Sequence, residues 1–130
     1  MSDALEVGRK LVDLCKQNKN REAVETLYAD DVESVEPCTM PNMPNPMKGK
    51  DTVLGKTDWW FDNHEVHGGE VKGPWPHGDK FIVVFAMDIT HKPSGNRMQI
   101  EEAGLYTVKN GKVVREEFFY AMPDGGPECD

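Results

Sequence analysis

The stretch from Phe81 to Ala121 constrains this chain more than any other. FIVVFAMDIT is a nearly unbroken apolar run rich in β-branched and aromatic residues, Arg97 to Val108 alternates apolar and polar residues, and Lys112 to Ala121 is a third strand-like run. A period of two puts successive side chains on opposite faces, as a half-buried strand requires. The loop HKPSGN, residues 91–96, separates the first run from the second. The second and third are joined by Asn110-Gly111, a strong signal for a two-residue hairpin. Three consecutive antiparallel strands therefore form a meander with one apolar face, which the earlier chain must cover.

That earlier chain is helical in period. Ala4, Val7, Leu11, Leu14 and Cys15 recur at three and four residues, the apolar face of a helix, with Ser2 as its N-cap. Asn18-Lys19-Asn20 breaks it. Asn20 is expected to cap a second helix running through Tyr28, with Ala23, Val24, Leu27 and Tyr28 inward. A third helix opens at Gly49-Lys50-Asp51 with Asp51 at the cap. It turns Val53, Leu54, Thr57, Trp60, Phe61 and His64 inward and leaves Trp59 at the rim.

Between the second and third helices, the chain turns on Ala29-Asp30-Asp31 and forms a short strand, Val32 to Glu36. Pro37, Pro41, Pro44 and Pro46 then preclude helix and ladder pairing, which predicts a surface loop over 38–49. Glu65 to Lys72 reads as a weak strand bent at Gly68-Gly69, and GPWPHGD, residues 73–79, as a turn-rich connection. Helices early and strands late predict an α+β fold, with the helices on one face of the sheet. The 130 residues suit one domain, expected over 1–122 with a mobile tail over 123–130.

The formal charge of −8 opposes binding to nucleic acid or to an anionic membrane surface, so neither is an expected partner. No apolar run approaches a membrane span, and MSDALEVGRK has no signal-peptide core. Cys15, Cys38 and Cys129 are odd in number and widely spaced, which predicts no disulfide framework and a reducing cytoplasm.

Three carboxylates stand out. On the run from Arg97 to Val108, the face carrying Met98, Ile100, Gly104, Tyr106 and Val108 is the more apolar, and Glu102 shares it. On the last strand, Val114, Glu116, Phe118 and Tyr120 are expected inward. On the short early strand, Val32, Ser34 and Glu36 share a face. Glu36, Glu102 and Glu116 then converge on one apolar space. Burial and mutual repulsion should raise at least one pKa toward neutrality and supply an acid and a base from like residues. Trp60, Phe61, Phe85, Tyr106, Phe118 and Tyr120 would wall a site for a small apolar ligand, or simply be core.

His64 and His67 form an HxxH that straddles a helix end, with no further ligand set spaced nearby, so no metal is expected there. His77 and His91 are placed in solvated loops. Cys38, Met40, Met43 and Met47 read as a flexible apolar loop over the cavity mouth rather than as copper ligands.

The order helix, helix, YADDVESVEP, helix, meander, NGKVV resembles the nuclear-transport-factor-2-like superfamily over residues 4–121, and within it the SnoaL-like and ketosteroid-isomerase-like members. The resemblance implies a cone: a strongly curved antiparallel sheet wrapped around three N-terminal helices, open at the wide end, in a domain that commonly dimerises. In ketosteroid isomerase an Asp base works against an oxyanion hole made of a Tyr and a protonated Asp. Matching the ADD-to-Pro segments places Glu36 at the base position. The two oxyanion positions fall near Val12 and at Gly104, neither of which can fill the role.

Two readings of function follow. One is a cofactor-independent acid–base enzyme of isomerase, cyclase or hydratase type, with Glu36 as base, Glu102 or Glu116 as proton donor, and Tyr106 or Tyr120 polarising an oxygen. The other is a non-catalytic module, either binding a small apolar ligand or acting as a homodimeric interaction domain with Val84, Ala86 and Leu105 on the seam.

Overall fold

A computed structural model of the chain describes residues 3–37 and 44–120. Expectations that concern Ser2, Cys38, Met40, Met43 and the tail lie outside the described residues. Helices α1 (Asp3–Lys16), α2 (Asn20–Leu27) and α3 (Lys50–Asn63) alternate with strands β1 (Tyr28–Val35), β2 (Met47–Lys48), β3 (His64–His77), β4 (Lys80–His91), β5 (Asn96–Lys109) and β6 (Lys112–Phe119). The strands form one sheet in the order β2-β1-β6-β5-β4-β3. β3 through β6 are the expected antiparallel meander, lengthened by one strand. β1 joins β6 in parallel, so the sheet as a whole is mixed. The long connection through α3 and the meander allows that parallel return.

The amphipathic pattern of α1 is realised directly: Ala4, Val7, Leu11 and Cys15 are buried, together with Val12. They pack with Ala23, Val24 and Leu27 of α2 against Phe81, Val83, Phe85, Tyr106, Val108 and Val113 of the sheet. The β5–β6 turn is as read, with Asn110 at φ 53° and Gly111 at φ 76°, the left-handed pair that matches strand twist. α3 behaves differently. Among its residues only Val53 is buried, because its inner face looks into open space rather than core.

Several local expectations are corrected. Ala29-Asp30-Asp31 is not a turn but an irregular stretch of β1, between register points Tyr28↔Val113 and Glu33↔Arg115. The proline-rich segment does pair: Met47 and Lys48 form a short ladder with Ser34 and Glu33, beyond the last proline. Lys19, not Asn20, caps α2, and Gly49, not Asp51, caps α3. GPWP is strand rather than connection, because β3 is an edge strand and an edge tolerates proline. On β6, Val113 faces the core and Val114 does not. Val114 is the extra residue of a bulge between Thr107↔Arg115 and Val108↔Val113, and one inserted residue flips the alternation.

Candidate functional site

The three helices and the inner face of the sheet line an open cavity of about 840 Å³. All three predicted carboxylates and all six predicted aromatic residues line it. So does a residue the sequence reading passed over, Lys56, and the inner end of the cavity is organised around it.

Lys56 projects from α3 and is largely buried. Its Nζ lies 2.6 Å from Glu36 Oε1 and 4.0 Å from Glu116 Oε1. It also donates to Ser34 Oγ at 2.7 Å and sits 4.7 Å from the centre of the Phe118 ring. Ser34 in turn donates to Glu116 Oε1 at 2.9 Å. Tyr28 donates to the other oxygen of Glu116. Tyr120 donates to Glu36 Oε2 at 2.9 Å. Asn45 brackets the Glu36 backbone, accepting from its N–H at 3.2 Å and donating to its carbonyl at 2.9 Å. A single cation thus holds two carboxylates, and each carboxylate has a tyrosine of its own.

Glu102 is different. It lines the cavity, opposite Phe85 in the β4–β5 register. Among the described residues no hydrogen bond or ion pair to its carboxylate is recorded. Burial, reinforced by the charge of Glu36 and opposed by Lys56, pushes its pKa up to about 7. Glu116 is also raised, chiefly by burial, with Lys56, Tyr28 and Ser34 pulling the other way. Tyr28 and Tyr106 are driven well above the usual phenol range, by burial first and Glu116 second, so both stay protonated. The cavity therefore holds one carboxyl, raised to about 7 and without a recorded protein partner among the described residues, beside two carboxyls bonded to Lys56 and to a tyrosine each.

The two positions that fail the ketosteroid-isomerase pattern have local explanations. Val12 is core. Gly104 makes room: a Cβ there would stand 2.8 Å from Tyr106 Cε2 and 3.2 Å from Phe118 Cε1. Tyr106 lies back over it, stacked on Phe81 at 4.9 Å. Cys15 also lines the cavity, but burial and then Glu116 push its thiol to about 12, which keeps it unreactive.

Two histidines, His64 and His91, line the outer end of the cavity. The HxxH does not act as a pair. His64 stacks on Trp60 at 4.4 Å, while His67 is hydrogen-bonded to Thr90 Oγ1 at 2.7 Å. His91 is not a loop residue: it ends β4, lies in register with His64 and lines the cavity. Trp59 lines the cavity too and is 41% exposed, as a rim residue should be.

Of the residues missed, Lys56 was legible. It stands three residues after Val53 and four before Trp60, on the inward face of α3. Tyr28 lies on the inward face that the α2 spacing predicts, where its hydroxyl meets Glu116. Ser34 was placed on the Glu36 face without a role.

No curated protein matches the chain. Solved structures do. A candidate SnoaL-like polyketide cyclase from Mesorhizobium loti, also labelled a carbohydrate phosphatase, is 43% identical, with a TM-score of 0.83 over 88% of this chain and 97% of that one. A candidate isomerase from Bacillus subtilis shares the fold at 15% identity and TM-score 0.71, over 92% of this chain and 86% of that one. So does a hypothetical protein from Catenulispora acidiphila with a ketosteroid-isomerase-like fold, solved with trimethylamine, at 15% identity and TM-score 0.68 over 90% and 86%. The family model for the SnoaL-like domain matches residues 2–120, and the chain belongs to that family.

Proposed function

We propose that this SnoaL-like protein is a cofactor-independent acid–base catalyst acting on a small, largely apolar carbonyl compound. The observation that carries the reading is Glu102: a cavity-facing carboxyl without a protein partner among the described residues, with a pKa of about 7, beside the Lys56 ammonium. A base works best with a pKa near the working pH. Glu102 takes a proton from the carbon next to the carbonyl. The C–H electron pair moves into an enolate whose oxygen is stabilised by Lys56, and Glu102 returns the proton at another carbon. Glu36 and Glu116 hold Lys56 in place, with Tyr120 and Tyr28 fixing their orientations. This moves the proton-transfer role from Glu36, where the sequence suggested it, to Glu102. Isomerisation and intramolecular cyclisation both begin with such an enolate, in keeping with the cyclase and isomerase descriptions of the relatives.

The test uses a probe ketone, 2-tetralone, in D₂O. The protein should accelerate exchange of the protons next to the carbonyl, read by mass spectrometry, and Glu102→Gln should abolish the acceleration. Equal exchange by Glu102→Gln and the unaltered protein would remove Glu102 from the chemistry.

A second reading has its own support. Glu36 and Glu116 bond to protein groups rather than facing the cavity freely, as a non-catalytic ligand carrier would have them. The trimethylamine in the Catenulispora acidiphila structure fits a small-molecule ligand in either reading. A ligand that co-purifies unchanged, with no exchange activity, would favour the carrier. The outer face of the sheet presents Ile82, Val84, Ala86, Leu105 and Phe119, with Ile82 41% and Phe119 51% exposed, and this apolar strip supports a homodimer. The cysteine usage supports a cytoplasmic setting.

A further inference from the structure

The outer end of the cavity contains a group that the inner cluster does not use. His64 is at the junction of α3 and β3, and its Nδ1 lies 2.7 Å from the backbone carbonyl of Trp60. A carbonyl only accepts, so Nδ1 carries the proton, and in the neutral ring Nε2 presents a lone pair. Among the described residues no partner is recorded for Nε2. The ring itself is fixed: it stacks on Trp60 at 4.4 Å and 16°, meets Trp59 edge-on at 6.3 Å, and lies 5.3 Å from the ring of His91. His64, His91, Trp59, Trp60 and Phe61 all line the cavity.

The environment selects what Nε2 can meet. Burial, then His91 and Lys92, lower the pKa of His64 against the opposing pull of the Trp60 carbonyl, which favours the neutral imidazole. A neutral acceptor does not attract a carboxylate or a phosphate. Glu101, which also lines the cavity, and the overall charge of −8 act in the same direction. What suits a fixed, neutral acceptor is an uncharged hydrogen-bond donor. What suits a wall made by the exposed Trp59 beside the His64 and His91 rings is a flat ring.

We propose that the mouth of this cavity is a subsite for a hydroxyl-bearing aromatic ring, whose hydroxyl donates to His64 Nε2 while the ring lies against Trp59. The subsite shares with the proposed function only the premise that a small molecule enters the cavity, and it holds whether or not that molecule is turned over. His64 is the specificity determinant, because a site built around a polar partner disfavours the analogue that leaves it unpaired.

The test compares 2-naphthol with 2-methylnaphthalene, which replaces the hydroxyl with a methyl group of similar size. Affinities are measured by titration calorimetry against the full chain, and the ring nitrogens of ¹⁵N-histidine-labelled protein are followed by NMR. In a purely apolar cavity the methyl compound binds tighter. With the subsite, 2-naphthol gains relative to it by about fivefold, the value of one neutral hydrogen bond. His64→Phe, which retains an aromatic ring next to Trp60, should erase that gain. The Nε2 resonance of His64 should move with 2-naphthol and stay still with 2-methylnaphthalene. An unchanged affinity ratio in His64→Phe, or a still Nε2 resonance under saturating 2-naphthol, would overturn the subsite and place the hydroxyl at the inner carboxylates. Failure of both compounds to bind would overturn the subsite together with its premise, whereas 2-naphthol binding without 2-tetralone exchange would sink only the catalytic reading.

Discussion

Glu102→Gln tests the central argument without any substrate. The Glu102 carboxyl has its pKa raised from 4.5 to about 7. Well below pH 4.5 both folded and unfolded chains hold the proton, and the raised pKa contributes its full stabilisation. As pH rises through 7 the folded protein loses the proton into an apolar cavity, and the contribution disappears. A shift from 4.5 to about 7 is worth about 3.4 kcal/mol at most, at 1.36 kcal/mol per unit. Between pH 5 and pH 8 the two-state titration leaves about 2.5 kcal/mol of that. For a chain of 130 residues this corresponds to roughly 8–10 °C in Tm. The assay is thermal unfolding by circular dichroism of the unaltered protein and Glu102→Gln at both pH values. Groups away from the cavity titrate in both proteins alike, so the difference between their pH responses isolates Glu102 together with the carboxyls coupled to it. The unaltered protein should lose the extra 8–10 °C at pH 8, and Glu102→Gln should not. Parallel pH profiles would show that Glu102 is solvated like a surface carboxylate, and the case for it as the proton-transfer group would fall.

Three more perturbations probe the surrounding structure. Lys56→Met leaves Glu36 and Glu116 without their shared cation and should cost about 3–5 kcal/mol in urea unfolding, as breaking a buried pair does; a loss under about 1 kcal/mol would mean the cluster is hydrated. By the same logic Glu36→Gln, which removes a partner of Lys56 at 2.6 Å, should lower the urea midpoint as well as activity. Gly104→Ala places a Cβ 2.8 Å from the Tyr106 ring and should cost about 1–3 kcal/mol by overpacking, with a changed near-ultraviolet circular dichroism signal from the displaced tyrosine. Ile82→Glu puts a charge in the apolar strip of the outer sheet face; light scattering should show a dimer becoming a monomer, and an unchanged mass would move the interface elsewhere.

What was legible in the sequence follows from periodicity. α1 could be read because its apolar residues recur at helical spacing and all pack one way. The inward face of β5 could be read because one alternating set is apolar, and that reading placed Glu102 correctly in the cavity. The Asn110-Gly111 turn was legible because few dipeptides accept two left-handed residues in succession. The errors cluster where tertiary context overrides local rules. GPWP forms strand because it lies at an edge, a fact about the whole sheet. The Val113–Val114 bulge shifts the alternation by one residue, and nothing in KVVRE announces it.

The sequence by itself determined the α+β class, the meander and the three carboxylates on inward faces, because burial of apolar stripes is a short-range property of spacing. It did not place their neighbours. Only the tertiary structure did so, by bringing Lys56 of α3 to Glu36 and Ser34 while leaving Glu102 facing the cavity. Electrostatic character depends on distances of a few ångströms between residues far apart in the chain, and at those distances one lysine separates two bonded carboxyls from a third that faces the cavity.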